Sequence, residues 1–216
     1  MYIGLLFLYN LRHYNMLPNK LMLIILLIIL SAFSWQIHKP QPIKWVVMKG
    51  GSLRVDGSTN INKFNCIIAD YAKPDTLVIH KDQSKALPIN GLIKLDVQNF
   101  DCHNPVMTSD LRKTLKAKQF PKLTIRFLSL SEYPNFNNNR TDLIKGMVAI
   151  ELAGVTKRFE VDYKFISGGQ DVINLIGTRQ VNFSDFNIIP PRKIGGMIQT
   201  NNELSVVFNL RLKVID

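Results

Sequence analysis

Two cysteines, Cys66 and Cys102, and the histidine directly after the second, His103, are the residues of this chain whose types best suit chemistry. Together they could ligate a metal or supply a thiolate nucleophile. Only these three ligands are at hand, however, and they lack the short Cys-x-x-Cys or His-x3–5-His intervals from which zinc sites are built. Neighbours on a strand also point to opposite faces, so Cys102 and His103 would not converge. In an oxidising compartment the cysteines read as one Cys66–Cys102 disulfide. Free structural thiols, and a reactive thiol, are the other readings the residues leave open.

The remaining candidates for catalysis are sparse. His38 and His80 stand in no His-Glu-x-x-His spacing and beside no nucleophile elbow. Gly50-Gly51, Gly168-Gly169 and Gly195-Gly196 lack the glycine spacing and the following Lys-Ser/Thr of a phosphate-cradling loop. Asp70 with Asp75, and Asp96 with Asp101, could be paired carboxylates, but acids near strand ends are ordinarily solvated. The expectation is a non-enzyme, with no catalytic residue, no metal site and no cofactor beyond a bound lipid.

The elements that would position these residues are strands. In the C-terminal segment Leu204, Val206, Phe208, Leu210, Leu212 and Val214 alternate with Glu203, Ser205, Asn209, Arg211 and Lys213, the period of a strand wet on one side. Lys157 to Phe165 repeats the pattern with Phe159, Val161, Tyr163 and Phe165, and Leu143 to Leu152 with Ile144, Val148, Ile150 and Leu152. The short Ala153–Thr156 link predicts that these two strands pair as a hairpin. Further strands are expected at 52–57, 61–69, 76–81, 92–100, 122–130 and 172–183, with another near Trp45 and Val47. One helix is expected from Met107 to Lys118, capped by Thr108 or Ser109 and stopped by Pro121. Its apolar stripe is Met107, Leu111 and Leu115; its other side carries Arg112, Lys113, Lys116 and Lys118. Asn135–Asn139 and Ile189–Gly196 read as loops. The fold class is all-β: an antiparallel barrel of about eight to ten strands with one short helix, since closure hides the edges of so many half-wet strands.

Residues 1–34 stand apart from this domain, which spans 43–216. They hold no acid, only Arg12 and Lys20 as fixed charges, and an unbroken apolar run from Leu21 to Leu30 followed by Ala32-Phe33-Ser34. That layout fits a signal peptide. Extended to Ile37 the segment also reaches the lower limit for an uncleaved membrane anchor. The rest of the chain keeps +9 of the net charge of +11, an excess that favours anionic partners. The basic residues are scattered without interleaved aromatics, which argues against nucleic acid and leaves an anionic membrane surface, or simply a soluble basic exterior.

By strand parity Ile125, Phe127, Val148, Ile150, Phe159, Val161, Phe208 and Leu210 line the lumen. An apolar lumen of this breadth can hold one ligand or fill itself. Several motifs bear on that choice. Ser52-Leu53-Arg54-Val55-Asp56-Gly57-Ser58-Thr59-Asn60-Ile61-Asn62 runs into Phe64-Asn65-Cys66. It is followed by Phe100-Asp101-Cys102, by Met107, Asp110, Leu111, Leu115 and Ala117, and by Phe120-Pro121 with Ile125 and Phe127. Gly154-Val155-Thr156-Lys157 and Phe183-Ser184-Asp185-Phe186-Asn187-Ile188 with Pro190-Pro191 complete the order. In this arrangement the chain resembles the YceI-like family of polyisoprenoid-binding proteins, in the longer form that carries a cysteine pair. It departs from the shorter members around Phe64–Cys66, where a histidine-bearing strand would stand. The resemblance implies a lipocalin-like barrel, periplasmic or secreted, enclosing an isoprenoid chain such as a quinone or prenyl phosphate. The rival reading is a closed-core envelope interaction module without bound lipid.

Overall fold

The C-terminal alternation makes its segment the spine of the fold, because a long half-wet strand can pair along both edges while burying one face. In the computed structural model, which describes residues 41–71, 73–81, 86–135, 143–169 and 171–215, twelve strands occur in chain order. They are β1 (Ile43–Val47), β2 (Gly51–Ser58), β3 (Lys63–Tyr71), β4 (Thr76–Ile79), β5 (Leu87–Asp96) and β6 (Lys122–Leu130), then β7 (Leu143–Leu152), β8 (Val155–Ser167), β9 (Val172–Asn182), β10 (Arg192–Lys193), β11 (Ile198–Gln199) and β12 (Glu203–Ile215). The helix α1 spans Pro105–Thr114.

Eight strands close an antiparallel barrel in the order β1-β4-β5-β6-β7-β8-β9-β12, with β12 returning to β1. The expected hairpin is β7–β8, paired from Leu143 opposite Lys164 to Leu152 opposite Val155. Along the other edge of β12, β1 and β2 succeed one another: Val47 faces Leu212 and Ser52 faces Asn209. Between them the chain turns at Gly50, whose φ of 93° suits glycine. β3 pairs only with β2, so the hairpin β2–β3 parts from the barrel wall at one end. Its outer edge is covered by Asp101, which exchanges two backbone hydrogen bonds with Ile67 at 2.8 and 2.9 Å. The Cys66–Cys102 disulfide lies immediately beside this bridge and fastens β3 to the segment leading into α1.

Parity holds throughout. Leu53, Ile68, Leu77, Ile79, Ile93, Leu95, Leu123, Leu175 and Val181 are buried, whereas Glu203, Ser205, Asn209, Arg211 and Lys213 on the opposite face of β12 are exposed. Several boundaries differ from those predicted. β3 runs 63–71 instead of 61–69, since Thr59 Oγ1 accepts from the backbone of Ile61 and Asn62 and holds them in the turn. β5 ends at Asp96, and Val97–Asn99 form a 3-10 turn that keeps Val97 buried. The segment expected as a loop, Ile189–Gly196, contains β10, which pairs with β11 just beyond it in a small ribbon.

The helix is displaced too. Asn104 caps it, its side-chain oxygen accepting from the backbone of Val106 and Met107 at 3.0 Å each, with Pro105 in the first turn where its missing N–H costs nothing. Thr108 is therefore inside the helix and buried, its hydroxyl accepting from the Cys102 N–H at 2.9 Å. α1 also ends at Thr114, well before Pro121, and turns follow in which Lys116 takes a φ of 54°. Among the described residues no helix is long and apolar enough to cross a membrane. The predicted leader, Leu21–Leu30 with Ala32–Ser34, lies outside the described residues.

Candidate functional site

The lumen is built in two unequal halves. At one end aromatic rings fill it. Phe127 meets Phe208 edge-on at 6.1 Å, Tyr163 meets Phe208 at 5.9 Å, and the chain of rings continues through Phe165 to Trp45 and Tyr133. Contacts of this offset and edge-to-face kind contribute about 0.5–1.5 kcal/mol each beyond burial. Glycines opposite the rings make the packing fit. A Cβ at Gly177 would collide with the Phe208 ring, and one at Gly146 with the Tyr163 ring. The Tyr163 hydroxyl and the Trp45 indole N–H are buried here without a hydrogen-bond partner, and desolvation pushes the Tyr163 phenol well above its ordinary pKa.

Toward the disulfide end the rings give way to a cavity of about 70 Å³ whose lining is solely Leu, Val, Ile and Phe. β2 supplies Leu53 and Val55, β6 Leu123 and Ile125, β7 Ile150 and Leu152, and β9 with β12 Val181, Leu204 and Val206. Leu111 of α1, Leu115 at its C-terminal cap, and Phe183 and Phe186 of the 3-10 turn after β9 form the roof. Above that roof is an open groove of about 380 Å³ between β3, α1 and the β10–β11 ribbon. Leu111 and Phe183 line both spaces, so they are the side chains that separate cavity from groove. Lys193 pairs with Asp110 across the groove, and Lys63 and Asn104 stand at its edge. Cys66 lines its floor.

Of the eight side chains expected to line the lumen seven are buried and Ile150 is half-buried, and they do not share one space. Ile125 and Ile150 reach the cavity. Phe127, Phe208 and Leu210 belong to the packed waist, where with Ile125 they surround a void of only about 10 Å³. Val148 and Val161 are fully buried in the wall, and Phe159 packs on Phe186 with ring centroids 5.8 Å apart. The roof was not foreseen as part of the site. Of the helical stripe Met107, Leu111 and Leu115, the last two lie against the sheet as expected, while Met107, in the first turn of the helix, is exposed at the groove; Phe183 and Phe186 required a 3-10 turn that the strand pattern does not announce.

The polar candidates do not gather. Cys66 and Cys102 are joined as expected for an oxidising compartment, His80 sits 3.3 Å from Asn90, and His103 is exposed. Among the described residues no three His, Cys, Asp or Glu side chains could hold a metal ion; His38 lies outside them. The basic cluster flanks a shallow cleft along the outer side of α1, where Arg112 turns back to donate to the Phe100 carbonyl at 2.9 Å.

No protein-family model matches the chain, and no curated protein matches it. Solved structures do. BcnA of Burkholderia cenocepacia superposes with a TM-score of 0.56 at 13% identity, covering 74% of this chain and 95% of that one. A polyisoprenoid binding domain from Saccharophagus degradans, implicated in plant cell wall breakdown, gives 0.56 at 8% identity over 79% and 98%. A YceI protein of Campylobacter jejuni gives 0.43 at 17% identity over 64% and 80%. The first two likenesses bear out the antiparallel barrel fold expected from the alternation and the motifs.

Proposed function

We propose that residues 43–216 form an exported lipid-binding barrel that carries or stores an isoprenoid chain of the quinone or prenyl phosphate type. Residues 1–34 then serve as its signal peptide or anchor, and the working compartment is periplasmic or extracellular. The observation that carries this reading is the cavity lined by apolar side chains alone, separated from an open groove by two of them. A hydrocarbon tail needs no polar anchor there, because each buried methylene contributes roughly 0.8 kcal/mol. The polyisoprenoid-binding name of the Saccharophagus domain and the disulfide support the same reading.

At about 70 Å³ the cavity is smaller than the roughly 300–1,000 Å³ of ordinary ligand pockets. Loading therefore needs Leu111 and Phe183 to swing aside, so that cavity and groove become one channel. The filled aromatic half favours the rival closed-core interaction module, in which this movement never occurs.

Solvent extraction and native mass spectrometry of the full chain discriminate. One prenyl lipid per barrel, present on isolation or taken up from a supplied quinone, is the expected result. Val55→Phe, which fills the cavity from β2, should sharply reduce uptake while leaving the β-sheet circular dichroism unchanged. A protein that neither carries nor takes up an isoprenoid is the closed-core module.

A further inference from the structure

Of the nine large apolar side chains exposed among the described residues, Ile61, Val106 and Met107 line the groove, and Ile189, Ile194 and Met197 belong to the stretch around β10–β11 that forms one of its walls. All of these six but Met107 are between 60% and 84% exposed, a concentration at one end that a soluble exterior does not require. They project from three short segments, the β2–β3 turn, the first turn of α1 and the stretch around β10–β11.

These segments are held in one array. Asn60 in the β2–β3 turn accepts from the Gln199 N–H at 3.0 Å and donates to the Met197 carbonyl at 2.9 Å, and its own N–H donates to the Gln199 carbonyl at 3.0 Å. Ile194 is kept in the left-handed region at φ 51°, a conformation that disfavours β-branched residues. The strained backbone presents its side chain outward, beside Met197, whose N–H donates to the Ile194 carbonyl at 3.1 Å. Strain retained at a ribbon tip fits a surface selected for contact.

The three segments themselves carry only positive charge, with acids at their borders. Residues 57–64, 103–109 and 186–202 contain no acid, and they carry Lys63, Arg192 and Lys193. Lys193 is paired with Asp110, Lys63 shares a surface cleft with Asp56 and Glu203, and Arg192 makes no ion pair among the described residues. Exposed apolar tips interspersed with surface cations are complementary to an anionic lipid surface, where side chains can enter the acyl boundary and the cations meet head groups.

We infer that the groove end docks on an anionic lipid membrane, setting the mouth of the barrel against the bilayer. This rests on the lipid-holding reading only for its purpose, the transfer of a tail between bilayer and lumen without passage through water.

The test uses the full chain with its disulfide formed. Met197→Cys introduces one free thiol for an environment-sensitive fluorophore, and Ser167→Cys carries the same label at the far end of β8. On adding vesicles of phosphatidylcholine with phosphatidylglycerol, the label at 197 should shift to the blue and brighten severalfold while that at 167 stays unchanged. Lys63→Gln and Arg192→Gln should each weaken vesicle affinity roughly fivefold at low salt. A water-like spectrum at 197 overturns the inference, as does an equal shift at both positions, which would locate attachment elsewhere, such as the N-terminal segment. So does an undiminished shift with phosphatidylcholine alone. Failed docking with prenyl lipid still extractable removes this inference alone; docking by a barrel that never takes up a prenyl lipid removes the lumen reading alone.

Discussion

Replacing both cysteines by alanine tests how the parted end of the barrel is held. The Cys66–Cys102 bond closes a separation of 36 residues. By the loop-entropy relation, a loop of that length raises the unfolded chain's free energy by about 4 kcal/mol at 25 °C. Alanine is the informative substitute, because both positions are buried and serine hydroxyls there would add a desolvation cost of their own. In the folded state the Ile67–Asp101 backbone pair and the Thr108 cap on Cys102 N–H survive the change. The double variant should therefore still fold, with its melting temperature lowered by about 8–16 °C, taking roughly 2–4 °C per kcal/mol for a chain of this size. Thermal and urea unfolding of oxidised wild type, reduced wild type and C66A/C102A would measure it, the last two agreeing within about 1 kcal/mol. A fall of under about 3 °C would refute the reasoning. It would mean that the backbone bridge already confines β3 in the unfolded ensemble, or that β3 opens without unfolding the barrel.

Four further outcomes are expected. Tyr163→Phe removes a buried hydroxyl without a partner and should stabilise the barrel by about 1–3 kcal/mol in urea titrations. The pKa of Tyr163 is raised on folding by burial, and that of Tyr71 by burial and then by its hydrogen bond to Asp75, so the unfolded state loses these protons first. Stability should fall as pH rises above about 10, by up to about 1.4 kcal/mol per pH unit for each tyrosine, and Tyr163→Phe should remove one of the two slopes. Gly177→Val drives a branched side chain into the Phe208 ring and should cost about 1–3 kcal/mol, read from the urea midpoint at unchanged m-value. Asn60→Ala should cost about 1 kcal/mol globally, yet raise amide exchange selectively across 192–200, because two hydrogen bonds to that ribbon disappear.

The strands were legible because their alternation records which face is wet, and burial follows it in most strands, with Val55, Ile150 and Val206 half-buried. The hairpin β7–β8 was legible because only Ala153 and Gly154 separate its strands. The helix was misplaced by two residues at its start since Asn104-Pro105, itself a cap-and-first-turn signal, was passed over for the hydroxyls at 108 and 109. Ile125 and Ile150 could not be told apart from Phe127 and Phe208 within the inward set. Parity assigns a side chain to a face without regard to what stands across the lumen.

From the residues alone come the all-β class, the alternation that marks the inward face and the net positive charge. These depend on local periodicity and composition, which each segment carries by itself. The division of the lumen into a ring-filled end and a cavity, the roof of Leu111 and Phe183, and the array of exposed apolar tips about the groove are tertiary outcomes. They depend on which rings meet across the barrel, where a glycine lets a ring lie close, and how three separated segments converge beside one disulfide, distances that no single stretch of chain encodes.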